Sequence, residues 1–191
     1  MRRCVRVCRE TCRSMLRQKF TLAFALLLSA LFAPAAQGRE EVYLTPEQFL
    51  AEAVSAPVPK PEILWLTKDI AAQATRILGH APLQLRQRYW KAGGKTAWML
   101  EEIGKEEPIT AGFVVENGKL LQARVLVYRE SRGGEIRYPA FLKQYEGAGL
   151  TADERLDRSI DGVSGATLSV RAMERMARLA LFFDRMSREK P

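Results

Sequence analysis

The residues whose types and spacing could do chemistry run Asp161-Gly162-Val163-Ser164-Gly165-Ala166-Thr167. Two small residues, Gly165 and Ala166, separate the hydroxyls of Ser164 and Thr167, and an amphipathic helical pattern begins at Leu168. The first turn of a helix leaves backbone N–H groups without intrahelical partners and carries the positive end of the macrodipole. Small residues let a ligand approach that backbone closely, so the stretch could seat a phosphate. The same letters also fit an ordinary helix start, with Ser164 or Thr167 accepting a hydrogen bond from a helix N–H.

Few other chemistries are open. Cys4, Cys8 and Cys12 lie near the N-terminus at four-residue spacing, with no fourth ligand nearby and no histidine following, so neither a zinc site nor haem attachment can be built from them. Beyond them the chain holds one histidine, His80, and no cysteine. Iron–sulfur and haem centres lack their usual ligands. His80 falls just past a helix end, where bonding to terminal carbonyls is the common role. Any redox function therefore needs an organic cofactor.

The pattern Asp-x-x-Ser-Gly-Ala-Thr ending at Thr167 resembles the D-x-x-[ST]-G-A-T motif of the FMN-binding domain family, whose members include flavin-carrying subunits of the sodium-pumping NADH:quinone oxidoreductase and of the Rnf complex. Five specified positions arise by chance in a chain of this length on the order of one time in a thousand or less. The resemblance implies FMN joined to Thr167 through a phosphoester made by a flavin transferase. It implies that Asp161 presents or fixes the turn, and that Ser164, Gly165, Ala166 and Leu168 surround the phosphate. A second stretch, Glu130-Ser131-Arg132-Gly133-Gly134, reads alone as a polar loop with a glycine turn. It is similar to the family's E-[ST]-P-G-x-G loop, with Arg132 in place of proline. The resemblance thus puts Glu130, Ser131, Gly133 and Gly134 along the flavin ring, with Arg129 or Arg132 near enough to favour a negatively charged reduced flavin. It spans roughly residues 94–183.

Those residues need elements to position them. Thr45-Pro46-Glu47-Gln48 has the spacing of a capping box with proline at the first helical position. Pro57-Val58-Pro59-Lys60-Pro61 reads as a stiff connector. Ile63 to Leu78 carries a helical stripe closed by Gly79. Tyr89 to Lys95 reads as a turn. Residues 96–103, 110–115 and 120–128 are strand-like, and Asn117-Gly118 marks a hairpin between the last two. Tyr138 to Tyr145 is a short helix candidate. In the final helix Met173, Met176, Ala180 and Phe183 share the packing face, opposite a solvated face of Arg171, Glu174, Arg175, Arg178 and Arg185. The expected fold is α+β: an antiparallel meander flanked by helices, with a C-terminal amphipathic helix following the attachment loop.

Most of the net charge of +8 sits in the first 38 residues, in Arg2, Arg3, Arg6, Arg9, Arg13, Arg17 and Lys19 against Glu10. The rest is close to neutral, which argues against nucleic-acid binding. Residues 20–36 form an apolar run behind that basic segment and end in small residues, as a Sec-type signal peptide does; the run is also at the short limit for a membrane anchor. Met15 is a possible alternative start. The expected organisation is a leader at 1–38, a helical segment and linker at 39–92, and an FMN-binding domain at 93–187. The expected function is an exported electron carrier at the periplasmic, extracytoplasmic side of the membrane, with a flavin transferase and a membrane oxidoreductase as partners. A flavin-dependent reductase with its own substrate and a cofactor-free exported binding module are the alternatives.

Overall fold

The computed structural model of the chain describes residues 40–54 and 57–189, so the expected leader lies outside the described residues. Six strands form one antiparallel sheet: β1 (Glu41–Val42), β2 (Glu62–Trp65), β3 (Arg86–Ala92), β4 (Lys95–Ile103), β5 (Pro108–Glu116) and β6 (Lys119–Tyr128). Their order across the sheet is β1-β6-β5-β4-β3-β2. The run from β3 to β6 is the expected meander. Asn117 and Gly118, at φ 51° and 71°, form the tight turn between β5 and β6.

Both faces of the sheet are covered. Helices α2 (Lys68–Leu78) and α4 (Thr167–Arg188) lie on one face, over Leu64, Tyr89, Trp98, Phe113 and Val115. Helix α1 (Pro46–Val54) packs on the other, where Phe49, Leu50 and Val54 meet Trp90, Ala97, Val114 and Leu126. Successive strand residues point to opposite faces, so a strand covered twice reads as an unbroken apolar run rather than an alternation. That is why Phe113-Val114-Val115 is buried throughout. The short helix α3 (Pro139–Leu142) adds Phe141 and Leu142 to the larger core.

The local signals act through identifiable bonds. Thr45 and Gln48 form the reciprocal capping box of α1: the Thr45 N–H donates to Gln48 Oε1 at 2.9 Å, and the Gln48 N–H to Thr45 Oγ1 at 3.2 Å. Helix α2 closes at Gly79, whose N–H donates to the Thr75 carbonyl. Two local expectations differ from the structure. The stripe from Ile63 to Leu78 is not one helix. Residues Glu62–Trp65 form β2, with Leu64 buried, and α2 starts only after Thr67, its N-cap. The expected turn at Tyr89 to Lys95 is mostly strand. Tyr89 stacks on Trp98 at 4.7 Å on one face while Trp90 packs toward α1 on the other. Packing on both faces outweighs the local turn signal. Consequently residues 39–92, read from sequence as a helical segment and linker, also supply three strands. β3 and β4 pair across residue 93, and the described residues all fall within one compact unit.

Helix α4 also departs from its sequence reading. Its arginines are not simply solvated. Arg175 donates to Glu102 Oε1 on β4 at 2.9 Å, and Arg178 donates to the Glu154 carbonyl. At its C-terminal end, buried Asp184 accepts from Thr96 Oγ1 at 2.6 Å and from Arg188 Nε at 2.9 Å. Thr96 Oγ1 in turn accepts from Trp98 Nε1 at 2.9 Å, and Arg188 reaches the Gly94 carbonyl at 2.9 Å. This end is pinned to the β3–β4 hairpin with every partner satisfied.

Candidate functional site

The opposite end of α4 is built differently. Val163 to Ala166 form a β-turn closed by the Ala166 N–H donating to the Val163 carbonyl at 2.9 Å. Gly165 occupies its third position at φ 80°, the left-handed value a type II turn demands there and one that side-chain-bearing residues avoid. Helix α4 then begins at Thr167, with Ala166 in the cap position and no side chain accepting from the first-turn N–H groups. The ordinary cap is thus not formed: neither Ser164 nor Thr167 accepts from a helix N–H. Ser164, Gly165, Thr167 and Leu168 are exposed, whereas Ala166 is 3% exposed. A free hydroxyl, Thr167 Oγ1, therefore stands at the positive end of a 22-residue helix. Asp161 is exposed on the approach to the turn, with its backbone N–H donating to Gln144 Oε1 at 2.7 Å.

The second stretch follows β6. Glu130 does not point freely outward. Its Oε1 accepts from three successive backbone N–H groups, those of Lys105, Glu106 (2.8 Å) and Glu107 (3.1 Å), and so ties the end of β6 to the β4–β5 loop. Ser131 and Arg132 are exposed. Arg129 faces Glu40 at 3.1 Å and donates to Thr110 Oγ1, so its charge is already balanced on the sheet; Arg132 is the cation left toward the loop. After Gly133 the chain makes a short 3-10 turn, Gly134–Arg137. The Arg137 guanidinium lies 4.6 Å over the Tyr43 ring and 5.0 Å from that of Tyr138. Burial, together with the neighbouring Glu41 carboxylate, pushes the Tyr43 phenol up to about 12.

The fold brings the two stretches together. Gly133 lies directly against Ala166: a Cβ on Gly133 would fall 2.7 Å from Ala166 Cβ and 2.9 Å from the Tyr128 hydroxyl. Gly133 also holds φ 85°, so both backbone conformation and close approach require glycine there. The Tyr128 hydroxyl donates to the Arg132 carbonyl and lies 3.2 Å from Ser169 Oγ, inside the first turn of α4. Spacing in the sequence does not disclose Tyr128, Ser169, Tyr43 or Arg137. The one available hint is that a buried tyrosine ending an apolar strand needs a partner for its hydroxyl.

His80 stands apart from this junction and does not serve the helix-terminal carbonyls. Its Nδ1 faces the Ala81 carbonyl at 3.0 Å and its Nε2 lies 3.1 Å from both oxygens of buried Glu102. Those two acceptors raise its pKa above 6.5. Among the described residues, no group of three or more His, Cys, Asp or Glu could hold a metal ion, and no helix is long and apolar enough to cross a membrane.

Residues 104–181 match the family model of the FMN-binding domain. They include both stretches and the β4–β5 loop that Glu130 ties down. The fold is similar to the crystal structure of Shewanella oneidensis NqrC, at TM-score 0.53 and 14% identity, over 75% of this chain and 96% of that one. No curated protein matches the chain.

Proposed function

We propose that this chain, with residues 104–181 matching the FMN-binding domain, is a flavoprotein that carries FMN esterified to Thr167 and passes electrons on the extracytoplasmic side of a membrane. The observation that carries the reading is the uncapped start of α4: an exposed Thr167 hydroxyl with no side chain on the first-turn N–H groups, pressed by Ala166 against the Gly133 loop. These residues fit a phosphoester. Thr167 Oγ1 would be the esterified oxygen: it would bond to the FMN phosphorus of FAD as the phosphoanhydride breaks, with AMP leaving and the hydroxyl proton going to a base of the flavin transferase. Ser164 and the N–H groups of residues 167–169 would hold the phosphate oxygens, with exposed Gly165 leaving the backbone accessible beside them. A helix N-terminus favours a phosphate by about 0.3–1 kcal/mol, far too little to retain a cofactor, so the covalent bond does the retaining.

Bound FMN would supply one- and two-electron transfer. The chain's contribution is placement. Asp161 fixes the approach to the turn, Glu130 holds the β6 end on the β4–β5 loop, and Gly133 lets that loop close against Ala166 beside the attachment turn. Ser131 and Arg132 supply exposed polar groups beside it. The partners are a flavin transferase and a membrane oxidoreductase. Export follows from the basic segment and apolar run of residues 1–38.

The test is intact mass of the full chain and its Thr167→Ala variant, each co-produced with a flavin transferase. The expected result is an FMN adduct and yellow colour that survive denaturation in the parent chain and are lost in the variant. Equal masses apart from the substitution would end the reading.

A further inference from the structure

We infer that Tyr128 and Ser169 are positioning residues that hold the attachment turn in register with the Gly133 loop, so that both esterification of Thr167 and the electronic environment of the flavin depend on the Tyr128 hydroxyl. This inference rests on the function proposed above. The hydroxyl bonds to both sides of the junction, donating to the Arg132 carbonyl on one side and meeting Ser169 Oγ, two residues beyond Thr167, at 3.2 Å on the other. With the Tyr128 proton committed to the carbonyl, Ser169 is the donor of the second bond. Both side chains are buried, so water does not replace the bond between them when it is lost.

The surrounding contacts leave the junction little freedom. Gly133 already abuts Ala166, and Gly104 brings the β4–β5 loop in from below. A Cβ at Gly104 would lie 2.7 Å from Glu130 Oε1 and 3.4 Å from Ser169 Oγ. Thus the strand end, the β4–β5 loop and the helix start all meet at the Tyr128–Ser169 pair. Among the described residues no other hydrogen bond joins the helix start bearing Thr167 to the loop bearing Gly133, which otherwise meet where Gly133 abuts Ala166. A hydroxyl that must be presented to a transferase in one geometry loses rate steeply when that geometry loosens.

The experiment uses the full chain, co-produced with a flavin transferase, and compares Tyr128→Phe, Ser169→Ala and Tyr145→Phe. Tyr145 is the matched control, since its buried hydroxyl has no hydrogen-bond partner. The readouts are initial rate of adduct formation, visible flavin spectrum, reduction potential and melting temperature. Tyr128→Phe is expected to form adduct about tenfold more slowly and to shift both the flavin absorption band and the potential. Ser169→Ala changes the same readouts in the same direction by less, and Tyr145→Phe leaves rate, spectrum and potential as in the parent. Parent-like rate, spectrum and potential in both Tyr128→Phe and Ser169→Ala would overturn the inference. A change confined to melting temperature would overturn it too. A parent chain without adduct is a different result, and it sinks the proposed function instead.

Discussion

The two ends of α4 solve opposite problems. At the C-terminal end a carboxylate that is 1% exposed, Asp184, is surrounded by Thr96 and Arg188, and the Trp98 indole completes the set through Thr96. At the N-terminal end the hydroxyls of Ser164 and Thr167 are exposed and no side chain caps the first turn. An unfilled cap typically forgoes about 1 kcal/mol that Ser, Thr, Asp or Asn would supply. The helix is thus stabilised where it is closed and chemically available where it is open. Placing Ala166 at the cap position, between two hydroxyls that do not cap, is what keeps Thr167 free.

The contrast is breakable from either side. The largest effect belongs to Thr167→Ala, which removes all covalent flavin yet leaves unfolding free energy within about 0.5 kcal/mol of the parent apo chain, since the lost hydroxyl is exposed. Chemical denaturation of the two unflavinylated chains checks this. Asp184→Ala should do the reverse. It strands Thr96 in the core and costs about 2–3 kcal/mol, the range for leaving buried polar partners unmatched. The folded fraction still acquires flavin, as adduct mass at low temperature would record. If Asp184→Ala abolished attachment at temperatures where the protein is folded, the division of labour along the helix would be wrong.

The smallest effect concerns pH. Folding raises the pKa of His80, because the Ala81 carbonyl and Glu102 favour its protonated form, while nearby Arg175 opposes the rise. Its contribution is therefore fully present below the unfolded value of about 6.5 and is lost as pH rises through the higher folded value. The imidazole is half-exposed, so the increment stays below about 1 kcal/mol. The melting temperature should fall as pH rises above about 6.5 in the parent chain and fall less in His80→Gln. An identical slope in both chains would remove His80 as the source.

What was legible in the sequence follows the same division. Thr45 with Gln48, Gly79, Asn117-Gly118 and the α4 stripe are local signals, complete within a few residues, and the structure uses them as read. β2 was hidden because Ile63-Leu64-Trp65-Leu66 runs without interruption into a helical stripe, and only Thr67 separates the two periods. β3 was hidden because Tyr89 and Trp90 pack on opposite faces, against Trp98 and α1 respectively, and neither contact is visible in the adjacent residues. The exposed half of the candidate site lies in a contiguous motif and is visible in the sequence. The Tyr128–Ser169 bond spans 41 positions and could not.

Strand β1 has a mechanical consequence. Glu40 is paired to Arg129, and β1 is attached to β6 through two residue pairs, Glu41 with Tyr128 and Val42 with Val127, followed by the Tyr43 and Leu44 N–H groups on the Leu126 carbonyl. Tension arriving from upstream would load those two rungs and one ion pair before any part of the nine-rung ladder between β4 and β5. The edge would peel like a tear strip. Because one of its rungs ends on Tyr128, the pull would be felt where Tyr128 meets the start of α4 before the core registered it.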